Sequence, residues 1–137
     1  AAKMGVAGLS RIIAMEGVQK NVRSNIIAPF AWSRMIATIP IKDEASAKRV
    51  ERMKNHMRAD QVAQLAIALC ATKDVTGQIF VARGNEIFLM SQPRPLRGMA
   101  KIEGWTPETI CNHAFPAMKS MMYDAGPTTS VFGWDPI

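Results

Sequence analysis

Few side chains in this sequence have both a type and a spacing that chemistry can use. His56 and His113 belong to no recognisable motif, and neither has a second ligand at metal spacing, so no metal site is expected. Cys70 and Cys111 lie far apart without CxxC spacing, which argues against zinc or a redox pair and for a reducing compartment. Cys70 sits in an apolar run and reads as a buried small hydrophobe. On local grounds Lys3 is a solvated lysine near a chain end. Seventeen Lys and Arg against eleven Asp and Glu give a net charge of +6. The basic residues are scattered, as in Lys20 and Arg23, Lys48 and Arg49, or Arg94 and Arg97, with no dense stripe interleaved by aromatics. The excess reads as a solvated basic surface, or one that attracts an anionic small substrate, and nucleic acid is not an expected partner.

The elements that must position any such chemistry are more legible. The opening AAKMGVAGLSRIIAMEG spaces Met4, Leu9, Ile12, Ile13 and Met15 among alanines and glycines, a helix that can pack closely on a neighbour and stops near Gly17. No capping residue precedes Lys3, so its first turns are expected to lie outside the given sequence. Asn21 to Pro29 reads as a short buried strand ended by its proline. An irregular stretch from Phe30 to Pro40 leads to a charged helix over about Asp43 to Met57. Asp60 is expected to cap a further helix, apolar almost all round and well buried. Extended pieces follow at Gln78 to Ala82 and Glu86 to Met90, broken at Arg83-Gly84-Asn85.

Strand, helical crossover and strand make a parallel sheet with helices against it. Two strands alone do not make a stable sheet, so further strands must come from before Ala1 or from another chain. Beyond Ser91 the character changes. Pro93 and Pro95 remove backbone donors, Thr106-Pro107-Glu108 starts a helix that runs to about Met121, and SVFGWDPI needs a surface to pack against. Met118, Met121 and Met122 read as a packing face of that helix. The 137 residues hold no internal repeat, no signal peptide, and no apolar run approaching the roughly 20 residues of a membrane-spanning helix.

Three segments in order, AAKMGVAGLSRIIAMEG, NVRSNIIAPFAWSRM and VTGQIFVARGNE, resemble a short-chain dehydrogenase/reductase over roughly Ala1 to Arg97. Within that superfamily, the SRM segment and the VTGQIFVARGNEIFLMSQPRP continuation most resemble (3R)-hydroxyacyl-CoA dehydrogenase modules of multifunctional β-oxidation enzymes. The resemblance implies an α/β fold, the C-terminal part of a Rossmann-like doubly wound parallel sheet with a helical C-terminal extension. It divides the chain into residues 1–92, the half bearing the catalytic lysine helix, the substrate lid and the last strand, and residues 93–137, the extension.

The resemblance also implies roles for particular residues. Lys3 matches the lysine of the family's Tyr-x-x-x-Lys pair, whose (i, i+4) spacing puts both side chains on one helix face. There it holds the nicotinamide ribose of NAD or NADP and lowers the tyrosine's pKa. The tyrosine itself, the catalytic serine, the glycine-rich turn and the acidic residue that selects NAD over NADP all belong upstream, and nothing here replaces them. Ile27, Pro29 and Ser33 match cofactor-binding positions around the loop after the sixth strand. Phe30 and Trp32 depart from the family's Pro-Gly-x-x-Thr pattern. They either crowd the cofactor, wall the substrate, or pack into a core or subunit contact. Trp32, Met35, Ile36 and Ile39 fall where the family has its mobile lid, and with Lys42, Lys48 and Arg49 would suit an acyl chain on an anionic carrier such as coenzyme A.

Two functions are then expected. One is the substrate-side half of an NAD(P)-dependent oxidoreductase acting on a hydroxyacyl-CoA or similar secondary alcohol or ketone. The other is a non-catalytic subunit of the same fold, or a truncated product with a structural role. Expected partners are a small-molecule substrate and either further copies in a homo-oligomer or another chain of the family. The expected location is the cytoplasm.

Overall fold

The computed structural model describes residues 1–123, Gly126 and Phe132, so the packing expected of residues 130–137 lies outside the described residues, apart from Phe132. One compact unit spans Ala1–Gln92 and a second begins at Pro93.

Helix α1 (Ala2–Gly17) opens the first unit, followed by a single 3-10 turn, Val18–Lys20. The turn at Gly17 is tight: Val22 N donates to Gly17 O at 2.9 Å, and a Cβ on Gly17 would lie 2.7 Å from Val22 O. Only glycine lets the chain double back so closely. Asn21 then takes a left-handed conformation at φ 57, which asparagine tolerates better than most residues.

Strand β1 (Ile26–Phe30) therefore begins later than the expected Asn21, because Asn21 closes the turn and Ser24 and Asn25 spend their hydrogen bonds elsewhere. It also runs through Pro29 rather than ending there. Ile26 N donates to Gln78 O, so along the parallel ladder residues 26, 28 and 30 turn their amides toward the next strand and Pro29 turns its missing donor away. Strand β2 (Ile79–Arg83) pairs with β1 in parallel, and β3 (Glu86–Leu89) pairs with β2 antiparallel. The order is β1-β2-β3. The β2–β3 connection is the two-residue turn Gly84–Asn85, with Gly84 at φ 55, where a side chain would be strained.

Between β1 and β2 the chain forms a 3-10 turn (Ile36–Thr38), helix α2 (Glu44–His56) and helix α3 (Ala59–Ala71). The Asp43 carboxylate caps α2, accepting from Ser46 N and Ser46 Oγ, both at 2.6 Å. These bonds hold its pKa below the ordinary 3.8. Asp60 does not cap α3 as expected. Arg58 is the N-cap residue, and Asp60 sits in the first turn with its carboxylate held by the Arg58 guanidinium at 2.8 and 3.0 Å. Nor is α3 well buried: Leu65 is its one buried residue, Ile67 is 63% exposed, and Cys70 is exposed rather than buried. An all-round apolar helix needs cover on several sides, and here β1 and β2 supply one.

A few side chains fasten these parts. Asn25 Nδ2 donates to Val75 O at 2.8 Å while its Oδ1 accepts from Gln78 N at 3.1 Å, joining the entry of β1 to that of β2. Gly77 N donates to Ser24 O at 2.7 Å, and the Ser10 and Ser24 hydroxyls meet at 2.7 Å, tying α1 to the same corner. The core about this corner includes Ala14, Leu65, Val81 and Ala82. By contrast Met4, Leu9, Ile12 and Met15 leave half or more of their surface exposed on α1.

In the second unit, Thr106 caps the helix through a reciprocal pair of bonds with Thr109, and Pro107 takes the first helical position. The helical run ends at Met121 as expected, but it is not one regular helix. It passes through α4 (Pro107–Thr109), a π turn (Ile110–Ala114), α5 (Phe115–Met118) and a 3-10 turn (Lys119–Met121). Pro116 explains the interruption, since it has no N–H for the ordinary bond four residues back, and the turn ahead of it widens so that Phe115 N reaches Ile110 O.

Three outcomes are expected. Gly17→Ala should lower stability by about 1–3 kcal/mol through overpacking against Val22, read as a lower denaturant midpoint at unchanged slope. Asn25→Ala should cost about 1–3 kcal/mol, because Val75 O and Gln78 N lose their partner together, and Asn25→Asp, which keeps only the acceptor, should fall between. The Asp43 cap should be present at neutral pH and lost on acidification. A depressed folded pKa means the stabilisation is full above the unfolded value of 3.8 and vanishes as pH falls through the lowered folded value. Amide chemical shifts of Glu44 to Ala47 should report this fraying, and Asp43→Asn should remove its pH dependence.

Candidate functional site

The carboxyl ends of parallel strands are where α/β sheets bind ligands, and β1 delivers its loop there. Of the expected site residues, Ile27 and Pro29 lie on β1, with Pro29 exposed. The amide and carbonyl of Ile27 point away from β2, by the same alternation that turns Ile26 toward it, and so face an edge with no strand beside it among the described residues.

After Phe30 the chain turns out of the sheet. Ser33 is exposed, its hydroxyl accepting from Ile36 N at 3.4 Å and its carbonyl from Ala37 N at 3.0 Å. The 3-10 turn thus already draws on the Ser33 hydroxyl, weakly. Trp32 N donates to Met57 O at 2.6 Å, and Met57 is buried at the exit of α2. That bond joins the two ends of the excursion that carries Met35, Ile36, Ile39 and α2. Met35 is 83% exposed and Ile39 55%, Ile36 is partly covered, and no residue of α2 is buried. The segment expected to form the lid is therefore largely exposed, apolar and charged, and the Trp32–Met57 hydrogen bond joins its two ends. Phe30 and Trp32 are half-buried.

Lys3 stands exposed in the first turn of α1, and no hydrogen bond or ion pair joins it to Ile27, Pro29 or Ser33. The loop and lid residues are thus brought together, and the lysine is left apart from them by any bond. These residues include groups of the kind a nicotinamide and its ribose would need, although no bond joins Lys3 to the others. They offer a backbone edge at Ile27, a hydroxyl at Ser33 and an ammonium on Lys3, and nothing that cradles a pyrophosphate.

Two features escaped the sequence. An open cleft of about 370 Å³ lies between the start of β1 and α3, lined by Arg23, Asn25, Ile27, Ala66, Leu69 and Cys70 among others. Within the protein, Arg23 Nη1 is buried with no hydrogen-bond partner. A buried guanidinium nitrogen left so costs stability until an acceptor reaches it. Its signal in the sequence was a charge in the approach to a strand, read with Lys20 only as part of a scattered basic surface. The second is Arg83 at the end of β2, buried to 5% exposure, its guanidinium paired with the Glu86 carboxylate at 2.7 and 3.0 Å and lying 5.5 Å from the Phe88 ring centre. Arg83 is opposite Phe30 in the β1–β2 register, so this pair braces the strand end from which the loop departs. Opposite charges flanking a two-residue turn were its signal, read only as a break.

Among the described residues no group of three or more His, Cys, Asp or Glu is placed to hold a metal ion, and no helix is long and apolar enough to cross a membrane.

Comparison with known proteins places this geometry. A family model described as enoyl-(acyl carrier protein) reductase matches residues 1–84. The chain is 34% identical over 92 residues to the peroxisomal hydratase-dehydrogenase-epimerase of Saccharomyces cerevisiae, covering 62% of this chain and 9% of that protein. It is 30% identical over 87 residues to a putative short-chain type dehydrogenase/reductase of Mycobacterium tuberculosis, covering 64% of this chain and 28% of that one. In fold it matches the crystal structure of a short chain dehydrogenase from Mycobacterium avium with a TM-score of 0.65 at 23% identity, over 92% of this chain and 38% of that chain. The chain therefore spans well under half the length of each of these relatives. The order of its elements, the parallel pairing of β1 with β2 and the match across residues 1–84 together mean that the chain belongs to the short-chain dehydrogenase/reductase family.

Proposed function

We propose that this chain is the substrate-side part of an NAD(P)-dependent oxidoreductase acting on a hydroxyacyl-CoA or a similar secondary alcohol or ketone. The observation that carries the proposal is the open side of β1. An outward-facing strand edge at Ile27, a cleft of about 370 Å³ lined by Asn25 and Ile27, and the buried Arg23 Nη1 without a hydrogen-bond partner support a ligand site about this strand. In this reading residues 1–92 form the half that carries lysine, loop and lid, and residues 93–137 the extension. Upstream sequence or a partner chain supplies the tyrosine, the serine and the glycine-rich turn.

NAD or NADP would supply hydride transfer at the nicotinamide, the protein supplying position and electrostatics. The Ile27 backbone and the carbonyl of Pro29 would bind at the strand edge, and the Ser33 hydroxyl would bind once it leaves Ile36 N. Lys3 would hold the ribose and, as a fixed positive charge, lower the pKa of the tyrosine that exchanges the proton with the substrate oxygen. Trp32, Met35, Ile36 and Ile39 would cover the acyl portion and exclude water as the flap closes. The dehydrogenase assignment is supported by the name of the yeast relative, which joins a dehydrogenase to a hydratase and an epimerase.

Assembly as a homo-oligomer is part of the proposal, because the exposed apolar side of α1 offers a surface rich in small residues. For location we keep the cytoplasm, with the peroxisome as the alternative raised by the name of the yeast relative. A second functional reading, a non-catalytic subunit or truncated product, is favoured by one specific observation: Lys3 stands exposed and no bond joins it to Ile27, Pro29 or Ser33.

The test is an intact mass of the purified material under native and then denaturing conditions, followed by reduction of NAD and NADP with 3-hydroxyacyl-CoA substrates. A species heavier than 15.0 kDa that turns over is expected, with Lys3→Met lowering kcat by about 10²–10⁴. An inert single species of 15.0 kDa would leave the non-catalytic reading.

A further inference from the structure

The second unit has a groove that the dehydrogenase reading does not use. It measures about 310 Å³, at the small end of the range of roughly 300–1,000 Å³ for small-molecule sites. Its apolar wall is Leu96, Met118, Met121 and Met122, and Arg94 and Arg97 stand at its side. Leu96 is 63% exposed and Met122 54%, so the apolar wall is open to an occupant. Arg97 Nη1 donates to Ala117 O at 3.0 Å, which holds that guanidinium beside the methionines. Arg94 is exposed and makes no such bond among the described residues.

We infer that this groove binds a single-chain anionic amphiphile, a fatty carboxylate with its head on the two guanidinium groups and its alkyl chain along the methionines. Charge decides the head. Two cations and no carboxylate are found among the described lining residues, and a guanidinium fork matches a carboxylate in shape as well as sign. Side-chain softness decides the tail, since three unbranched thioethers adapt to a flexible chain better than to a fixed surface. A second copy of the same protein is a poor occupant. A two-fold contact would set this patch on itself and bring four guanidinium groups together without a counter-charge. The inference stands apart from the oxidoreductase reading, because every residue it uses lies beyond Pro93.

The experiment is isothermal titration of the full chain with octanoate, decanoate and laurate below their micelle concentrations, with dodecyltrimethylammonium as the cationic control. Laurate should bind, and each two-carbon extension should tighten binding about tenfold as methylenes leave water. The cationic control should bind at least about tenfold more weakly than laurate. Arg94→Glu, at an exposed side chain, should weaken laurate about tenfold or more while leaving the circular dichroism spectrum unchanged. Met122→Asp should weaken it similarly from the tail side. Equal affinity for laurate and the cationic control, an affinity unchanged in Arg94→Glu, or no heat with laurate at about 1 mM would each overturn the inference.

Discussion

The first unit depends on one amide side chain. Asn25 donates to Val75 O and accepts from Gln78 N, so a single residue spans the gap that the helical crossover leaves between two strands far apart in sequence. Parallel strands have no hairpin to set their register, and a slip by one residue would turn every side chain to the other face. Once Asn25 holds Ile26 opposite Ile79, the rest follows residue by residue: Val81 and Ala82 enter the core, Arg83 comes opposite Phe30, and Ile27 is left facing outward. The hydroxyls of Ser10 and Ser24 anchor α1 at the same corner, and the site loop emerges at the opposite end of the strands.

The two ends of β1 differ in how firmly they are held. At its entry, side-chain and backbone bonds converge from Ser24, Asn25, Thr76 and Gly77. At its exit, the excursion from Ser33 to His56 is gathered by the Trp32–Met57 bond, with the Arg83–Glu86 pair bracing the neighbouring strand. Sparse packing and exposed backbone contacts are the physical content of local mobility. A rigid entry and a loosely gathered exit suit a scaffold that must stay fixed while its loop admits a ligand.

Much of this was legible in the residues, and the reasons differ by element. The approximate α2 boundaries followed from a charged composition, and the β2–β3 break from Arg83-Gly84-Asn85, because these are local signals. The start of β1 was misread since Val22 and the two isoleucines look alike as β-branched residues. Only the turn that Gly17 permits shows that Val22 belongs to the corner. Pro29 was read as a terminator because its effect depends on which side of the strand the missing donor faces, and periodicity does not carry that. Cys70 and the outer side of α3 were read as buried from composition alone, whereas burial is set by what lies alongside. The roles of Lys3, Ile27, Pro29 and Ser33 came from resemblance, and the geometry supplies their positions, with Lys3 bonded to none of the other three.

Pro29 has one consequence for how the open strand meets any neighbour. On the exposed side of β1, Ile27 presents both a donor and an acceptor, while Pro29 presents an acceptor alone. A uniform ladder extended outward from β1 must therefore stop one step short of the strand's end. The chain carries its own end-stop against indiscriminate stacking, of the kind that edge strands use to resist aggregation. The same missing donor would leave one carbonyl of any such neighbour unpaired, at the place where the loop begins.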